Sequence, residues 1–229
     1  MKSFFKKALY KLLTLAMDRE KLMFMLSNKE EQTLLGMKRS GYLYETGWIN
    51  SIKTGNVCDL SNNPIPWVTY PFINFIEERL APTFELFEFG SGNSTLYYSK
   101  RVASVYSVEN DKLWYEKIKN SMPENVNLFY CELEYDRDYC RYAAKTSRKF
   151  DIIIVDGRDR VNCCINSVEV LNSTGVLILD DSEREEYITV TTFLTDRGFK
   201  KIEFWGIAPT VNYLKCTSIF YRSDNCLGI

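Results

Sequence analysis

Six carboxylates and two glycines stand where they could serve one ligand. Glu88 lies two residues before Gly90-Ser91-Gly92, while Glu109, Glu132, Asp156 and the pair Asp180-Asp181 each follow an apolar run. Residues 85–100 read ELFEFGSGNSTLYYSK: Leu86, Phe87 and Phe89 make a short strand, the glycines break it, and Ser94, Thr95, Leu96, Tyr97 and Tyr98 begin a helix. Glycines permit positive φ and a close approach of backbone to ligand, and the free N–H groups of a helix's first turn favour a polar or anionic group. The stretch therefore predicts a nucleotide or cofactor site. Histidine is absent from the 229 residues, which excludes Ser-His-Asp hydrolysis, Cys-His proteolysis and His-led zinc chemistry, because each needs an imidazole. Any chemistry must rest on carboxylates, hydroxyls, thiols, amines, a cofactor or a hard metal.

Composition bounds the rest. With 45% hydrophobic and 14% aromatic residues, the chain can bury one sizeable core. The 29 basic and 30 acidic residues leave a net charge of −1, so nothing global favours nucleic acid as a partner. Seven cysteines, odd in number and without a C-x-x-C pair, argue against a disulfide framework and a structural zinc site. They are expected as reduced thiols, mostly core filler, in a cytoplasmic protein.

The acids need a scaffold that gathers strand ends, and a regular alternation supplies it. After the glycine turn, apolar runs at 102–108, 126–131, 150–155 and 175–179 alternate with helical stretches, and two more strands are expected near 201–205 and 217–221. The run Ile152-Ile153-Ile154-Val155 suits a strand buried on both faces, and a helix over 183–197 is expected to close at Gly198. With the strand at 85–89 this predicts an α/β fold with a doubly wound, mostly parallel seven-stranded sheet, whose ligands bind at the carboxyl ends of the strands. Gly90, Glu109, Glu132, Asp156 and Asp180 all fall there.

Residues 1–33 read as an N-terminal helical extension. Residues 3–17 place Phe4, Phe5, Ala8, Leu9, Leu12, Leu13 and Ala16 at helical spacing opposite Lys6, Lys7 and Lys11. This basic amphipathic helix is too short to span a membrane and lacks a cleavage pattern. It is expected either to dock on the domain or on a second subunit, making a homodimer, or to lie on a membrane surface as a peripheral contact. Residues 34–83 lose periodicity but carry Tyr42, Tyr44, Trp48, Trp67 and Tyr70 before a short helix at 71–80. They read as an aromatic segment that covers the ligand as a lid or packs over the core edge. Residues 84–229 form the ligand-binding domain.

Two cofactor patterns compete at the glycine turn. A dinucleotide site of Rossmann type expects G-x-G-x-x-G/A, but Thr95 stands where the third glycine would be. The acid-x-G-x-G pattern of Glu88, Gly90 and Gly92, with Glu109 ending the next strand, resembles the class I S-adenosylmethionine-dependent methyltransferases, and the resemblance extends over residues 84–221. The segments NNPIPWVTYP, VDGRDRVNC and FWGIAP are similar to a bacterial subgroup of these enzymes, several of them linked to surface-glycan gene clusters. The resemblance implies S-adenosylmethionine as cofactor. It puts Gly90, Ser91 and Gly92 under the methionine and ribose, with Glu88 supporting the turn or receiving the ammonium group. Asn93, Ser94, Thr95 and Gly157 belong to the same cofactor-binding set. Glu109 would accept both ribose hydroxyls, or serve only as a helix N-terminal acid. Asn110 and Trp114 would flank the adenine unless Trp114 is core, Glu132 would take the exocyclic amine, and Asp156 would lie by the sulfonium.

Methyl transfer to a hydroxyl must also dispose of a proton, and no histidine is present to take it. Asp156, Asp180 and Asp181 offer oxygen ligands for Mg²⁺ or Mn²⁺, which would acidify the hydroxyl; metal-dependent O-methyltransferases resemble this arrangement. Alternatively, Asp180 or Asp181 caps the following helix and pairs with Arg158 or Arg160. Asp159 is the candidate base, with Asp181 its substitute. Arg158 and Arg160 could grip an anionic acceptor, and Trp205, Tyr213, Trp48 and Trp67 could stack on a ring. The expected activity is O-methylation of a small or glycan-related acceptor. The rivals are an NAD(P)-dependent oxidoreductase and a non-catalytic module with the same fold.

Overall fold

The computed structural model describes residues 18–229, so the amphipathic helix expected at 3–17 lies outside the described residues. Helices α1 (Arg19–Leu26), α2 (Lys29–Gly36), α3 (Tyr42–Glu45), α4 (Trp48–Thr54) and α5 (Tyr70–Glu77) come first. Then β1 (Glu85–Phe89), α6 (Asn93–Ser99), β2 (Ser104–Glu109), α7 (Lys112–Ile118), β3 (Val126–Tyr130), α8 (Tyr142–Lys145), β4 (Phe150–Val155) and α9 (Arg160–Ser167) alternate. The chain continues through β5 (Leu171–Asp180), α10 (Ile188–Thr195), β6 (Lys200–Gly206) and β7 (Lys215–Tyr221). The seven strands form one sheet in the order β3-β2-β1-β4-β5-β7-β6. Strands β1 to β5 pair in parallel, and β7 runs antiparallel between β5 and β6. The mostly parallel α/β sheet expected from the sequence is thus the observed one, with a reversed strand near one edge.

Side-chain alternation divides the core. Phe87, Phe89, Phe150, Ile153, Leu177 and Leu179 face one layer, which includes Cys163, Val190 and Leu194 from α9 and α10. Leu86, Ile152, Ile154, Val176 and Ile178 face the other, packed on Phe72 and Ile76 of α5 and Tyr97 and Tyr98 of α6. Each of these buried apolar side chains contributes about 1.5–3 kcal/mol relative to exposure, which keeps the central strands rigid enough to hold a site at their ends. The seven cysteines are unpaired, and five of them are buried. No helix among the described residues is long and apolar enough to cross a membrane.

Candidate active site

The order of the strands reverses between β1 and β4, and chains leaving a parallel sheet there diverge and open a crevice. Gly90, at φ +99°, turns the chain sharply after β1, and its N–H donates to Val108 O at 2.9 Å. Across the gap, Asp156 N–H donates to Phe89 O at 3.2 Å. The two turns nearly touch: a Cβ at Gly157 would meet Tyr139 Oη at 2.2 Å and Phe89 backbone atoms at 3.0 Å. Gly157 is therefore required by packing, and it also lines the cleft between the turns.

Glu88, only 1% exposed inside β1, braces the turn. Thr95 Oγ1 donates to its Oε2 at 2.6 Å and accepts the Gly92 N–H at 3.0 Å. This explains Thr95 in the place of a third glycine: it is fully buried and ties the helix to the strand. Burial pushes the Glu88 carboxyl up to about 7, opposed by hydrogen bonds from Ser94 and Thr95.

Glu109 ends β2 beside this turn. Its Oε2 accepts from Ser91 Oγ at 2.7 Å, and its Oε1 accepts the N–H groups of Asn110 and Asp111, both at 2.8 Å. Capping of α7 falls to Asp111, which accepts from Leu113 and Trp114 N–H at 2.9 and 3.0 Å. Trp114 is not core: it is partly exposed and donates Nε1–H to Ser91 O at 3.0 Å. Gly90, Ser91, Gly92, Asn93, Ser94, Glu109, Asn110 and Trp114 line one side of a cleft of about 770 Å³, with Glu88 at its floor. A buried acid at the end of β2, a glycine turn at its side and an open indole suit a ribose diol, a flexible polar chain and a purine. These residues fit S-adenosylmethionine.

The far side of the cleft gathers Asp156, Gly157, Asp180 and Asp181, as the sequence led us to expect, but with cations between the acids. Arg160, the first residue of α9, reaches Asp156 Oδ1 at 3.1 Å and Asp181 Oδ2 at 3.2 Å, and donates to Asp180 O at 2.6 Å. Lys215 Nζ lies 2.6 Å from Asp180 Oδ2 and 2.6 Å from Asp181 Oδ1. Thr217 Oγ1 donates to Asp180 Oδ1 at 2.7 Å, and Arg184 pairs with Asp181. Burial and the nearby Asp180 carboxylate push Asp156 well above the usual carboxylate range, against Arg160 and Lys215. Asp181 is held below that range, because Lys215, Arg160 and Arg184 outweigh its burial. Among the described residues no group of three metal-ligating side chains is arranged to hold an ion. The acids do not fit Mg²⁺ or Mn²⁺ as free ligands, since each already faces an ammonium or guanidinium. Of the alternatives for Asp180 and Asp181, ion pairing with Arg160 is observed and helix capping is not, since the helical turns that follow have Arg184 and Tyr187 at their N-caps, without a side-chain cap.

Four other residues expected at the site lie outside the cleft lining. Asp159 does not line the cleft; its Oδ2 accepts Asp136 N–H and its Oδ1 accepts from Asn162 Nδ2, both at 2.8 Å. Glu132, in the loop after β3, is likewise outside the cleft lining. Trp205 donates Nε1–H to Glu203 on its own strand at 3.1 Å, and Trp48 donates to Val211 O at 2.8 Å; neither lines the cleft. Trp67 and Tyr213 do line it, with Gly55, Asn56, Val57 and the exposed Arg158.

Sequence reading passed over Lys215. It is 5% exposed, and the signal was a lysine abutting the apolar run of β7. Its meaning depends on the antiparallel pairing of Asp180 with Thr217, which places residue 215 beside the acids.

No family model and no curated protein matches the sequence. Solved structures do. Precorrin-6y C5,15-methyltransferase from Geobacter metallireducens superposes with a TM-score of 0.52 at 14% identity, over 67% of this chain and 87% of that one. An rRNA methylase from Streptococcus thermophilus gives 0.52 at 13%, over 69% and 99%. Precorrin 8w decarboxylase from Methanobacterium thermoautotrophicum gives 0.50 at 16%, over 74% and 97%. The chain has a methyltransferase fold. At such identities the likeness is one of architecture, and the glycine turn and Glu109 stand at the strand ends where that architecture binds its ligand.

Proposed function

We propose that the protein is an S-adenosylmethionine-dependent methyltransferase acting on a hydroxyl of a small or glycan-related acceptor in the cytoplasm. The observation that carries the cofactor is Glu109, held at the end of β2 by Ser91 and two backbone N–H groups and facing the same cleft as Trp114. Two of the structural neighbours are named as a methyltransferase and an rRNA methylase, which supports the same reading. Glu88, Gly90, Ser91, Gly92, Asn93, Ser94, Glu109, Asn110 and Trp114 would hold the cofactor, which supplies an activated methyl group. The residues' own task is alignment and exclusion of water. Asp156, which lines the cleft and pairs with Arg160 alone among the described residues, takes the acceptor's proton; Asp180 and Asp181 are both committed to Lys215. Arg158, which has no ion pair among the described residues, receives an anionic group on the acceptor, and Trp67 and Tyr213 cover its ring. Trp67 belongs to the 34–83 segment, which serves as the cover.

S-adenosylhomocysteine should raise the melting temperature and NAD(P) should not, because only a ligand of the folded state stabilises it. The opposite pattern would favour the oxidoreductase reading. Labelled methyl transfer from S-adenosylmethionine into bacterial glycan precursors then tests the activity; cofactor binding without transfer to any acceptor would favour the non-catalytic module. Asp156→Asn should lower kcat by about 10²–10⁴-fold while leaving S-adenosylhomocysteine bound, the range a general base supplies. An unchanged kcat would remove Asp156 from the role.

A further inference from the structure

Three carboxylates at the ends of β4 and β5 would suit a hard divalent cation, but the space among them is already filled with positive charge. Lys215 Nζ is 2.6 Å from an oxygen of Asp180 and 2.6 Å from an oxygen of Asp181, the bridging position that an ion ligated by both acids would need. Arg160 spans the remainder, 3.1 Å from Asp156, 3.2 Å from Asp181 and 3.9 Å from Asp180. We infer that Lys215 and Arg160 are built-in cations that occupy the place of a divalent ion, and that the site needs no metal.

The arrangement is fixed by the fold. Lys215 pairs with Gly206 at the start of β7 and lies two residues from Thr217, which is paired with Asp180, so its ammonium meets the acids without crossing solvent. Thr217 Oγ1 uses the other oxygen of Asp180, and Arg184 takes up the outer face of Asp181. Asp156, Asp180 and Asp181 thus face Arg160, Lys215 and Arg184, and no net negative charge is left over to attract a dication. Magnesium demands oxygen ligands at close, near-octahedral positions. It could reach them here only by leaving a buried ammonium without its counter-ions, which is strongly unfavourable. For the methyl transfer the inference rests on the function proposed above; for metal binding it stands apart from it.

A Mn²⁺ titration of the full chain by calorimetry provides the test. The wild-type protein should show no saturable binding up to about 1 mM, and its Tm should be the same with EDTA or Mn²⁺. Lys215→Met removes the charge at similar length. It should lower the Tm, gain Mn²⁺ affinity by about tenfold or more, and recover about 5 °C on Mn²⁺ addition. The double variant Lys215→Met, Asp181→Asn should lose that gain. A saturable wild-type Mn²⁺ site abolished by Asp181→Asn would overturn the inference, as would a folded Lys215→Met protein that gains no Mn²⁺ affinity. Should Lys215→Met not fold, the wild-type and Asp181→Asn titrations decide alone. In the methyl-transfer assay, activity unchanged in excess EDTA supports the inference, and activity lost to EDTA and restored by Mg²⁺ overturns it. Transfer to no acceptor at all would count against the methyltransferase reading, while the Mn²⁺ titration still decides this one.

Discussion

Glu88 is buried against a hydroxyl, whereas Asp156, Asp180 and Asp181 face cations. Its carboxyl rises from 4.5 to about 7, so between those values the folded chain keeps a proton that the unfolded chain has released. Its contribution to stability is therefore full below 4.5 and is lost as pH rises through about 7. At about 1.4 kcal/mol per pKa unit, the loss is on the order of 3 kcal/mol. Urea midpoints for Glu88→Gln should accordingly fall less between pH 5 and 8 than those of the wild type; parallel curves would show that Glu88 does not titrate there. Glu109 accepts hydrogen bonds from Ser91 Oγ and two backbone N–H groups. Glu109→Gln should weaken S-adenosylhomocysteine about tenfold or more, since charged hydrogen bonds contribute about 1.5–3 kcal/mol each. An unchanged affinity would take Glu109 out of the cofactor site.

At the scale of elements, the site depends on two turns held in contact. The turn after β4 fits beneath the turn after β1 only because residue 157 has no side chain. Gly157→Ala should lose about 1–3 kcal/mol by overpacking, and a denaturation midpoint equal to wild type would refute the close fit. The element boundaries show where local pattern failed. The helix expected over 183–197 is confined to Ile188–Thr195, preceded by a single 3₁₀ turn at Glu185–Tyr187. Ser182 and Glu183 are instead drawn to β7, where Ser182 N–H donates to Cys216 O at 2.9 Å and Glu183 accepts Cys216 N–H at 2.8 Å. Propensity there yields to a tertiary contact. Strand β5 likewise starts earlier than its apolar run, because Leu171 pairs with Phe150 and the polar residues 172–174 fall in a register shift before pairing resumes at Val176.

For the molecule as a whole, part of the stretch before β1 packs into the core of the sheet. Ile65, Val68, Tyr70, Phe72, Ile73 and Ile76 enter the core, Trp67 Nε1 donates to Pro209 O at 2.7 Å, and Asn93 Nδ2 donates to Val57 O at 2.7 Å. Trp67→Ala should raise the acceptor's KM about tenfold with little change in kcat, the pattern of a lost uniform contact; an unchanged KM would deny Trp67 a place in the cover. Alternation of apolar runs determined the α/β class, because strands buried on both faces need continuous hydrophobicity and helices need one apolar stripe. Glycine and acid spacing located one side of the cleft for a similar reason: Glu88 through Thr95 act within one turn, and Glu109 ends the adjacent strand. The other side was decided by tertiary structure alone. Asp159 was turned aside by Asp136 and Asn162, and Lys215 was brought to Asp180 by an antiparallel pairing across 35 residues. Local sequence shows which residues carry charge, but strand order and direction determine which charges meet, and here that closed Asp180 and Asp181 into ion pairs with Lys215 and Arg160.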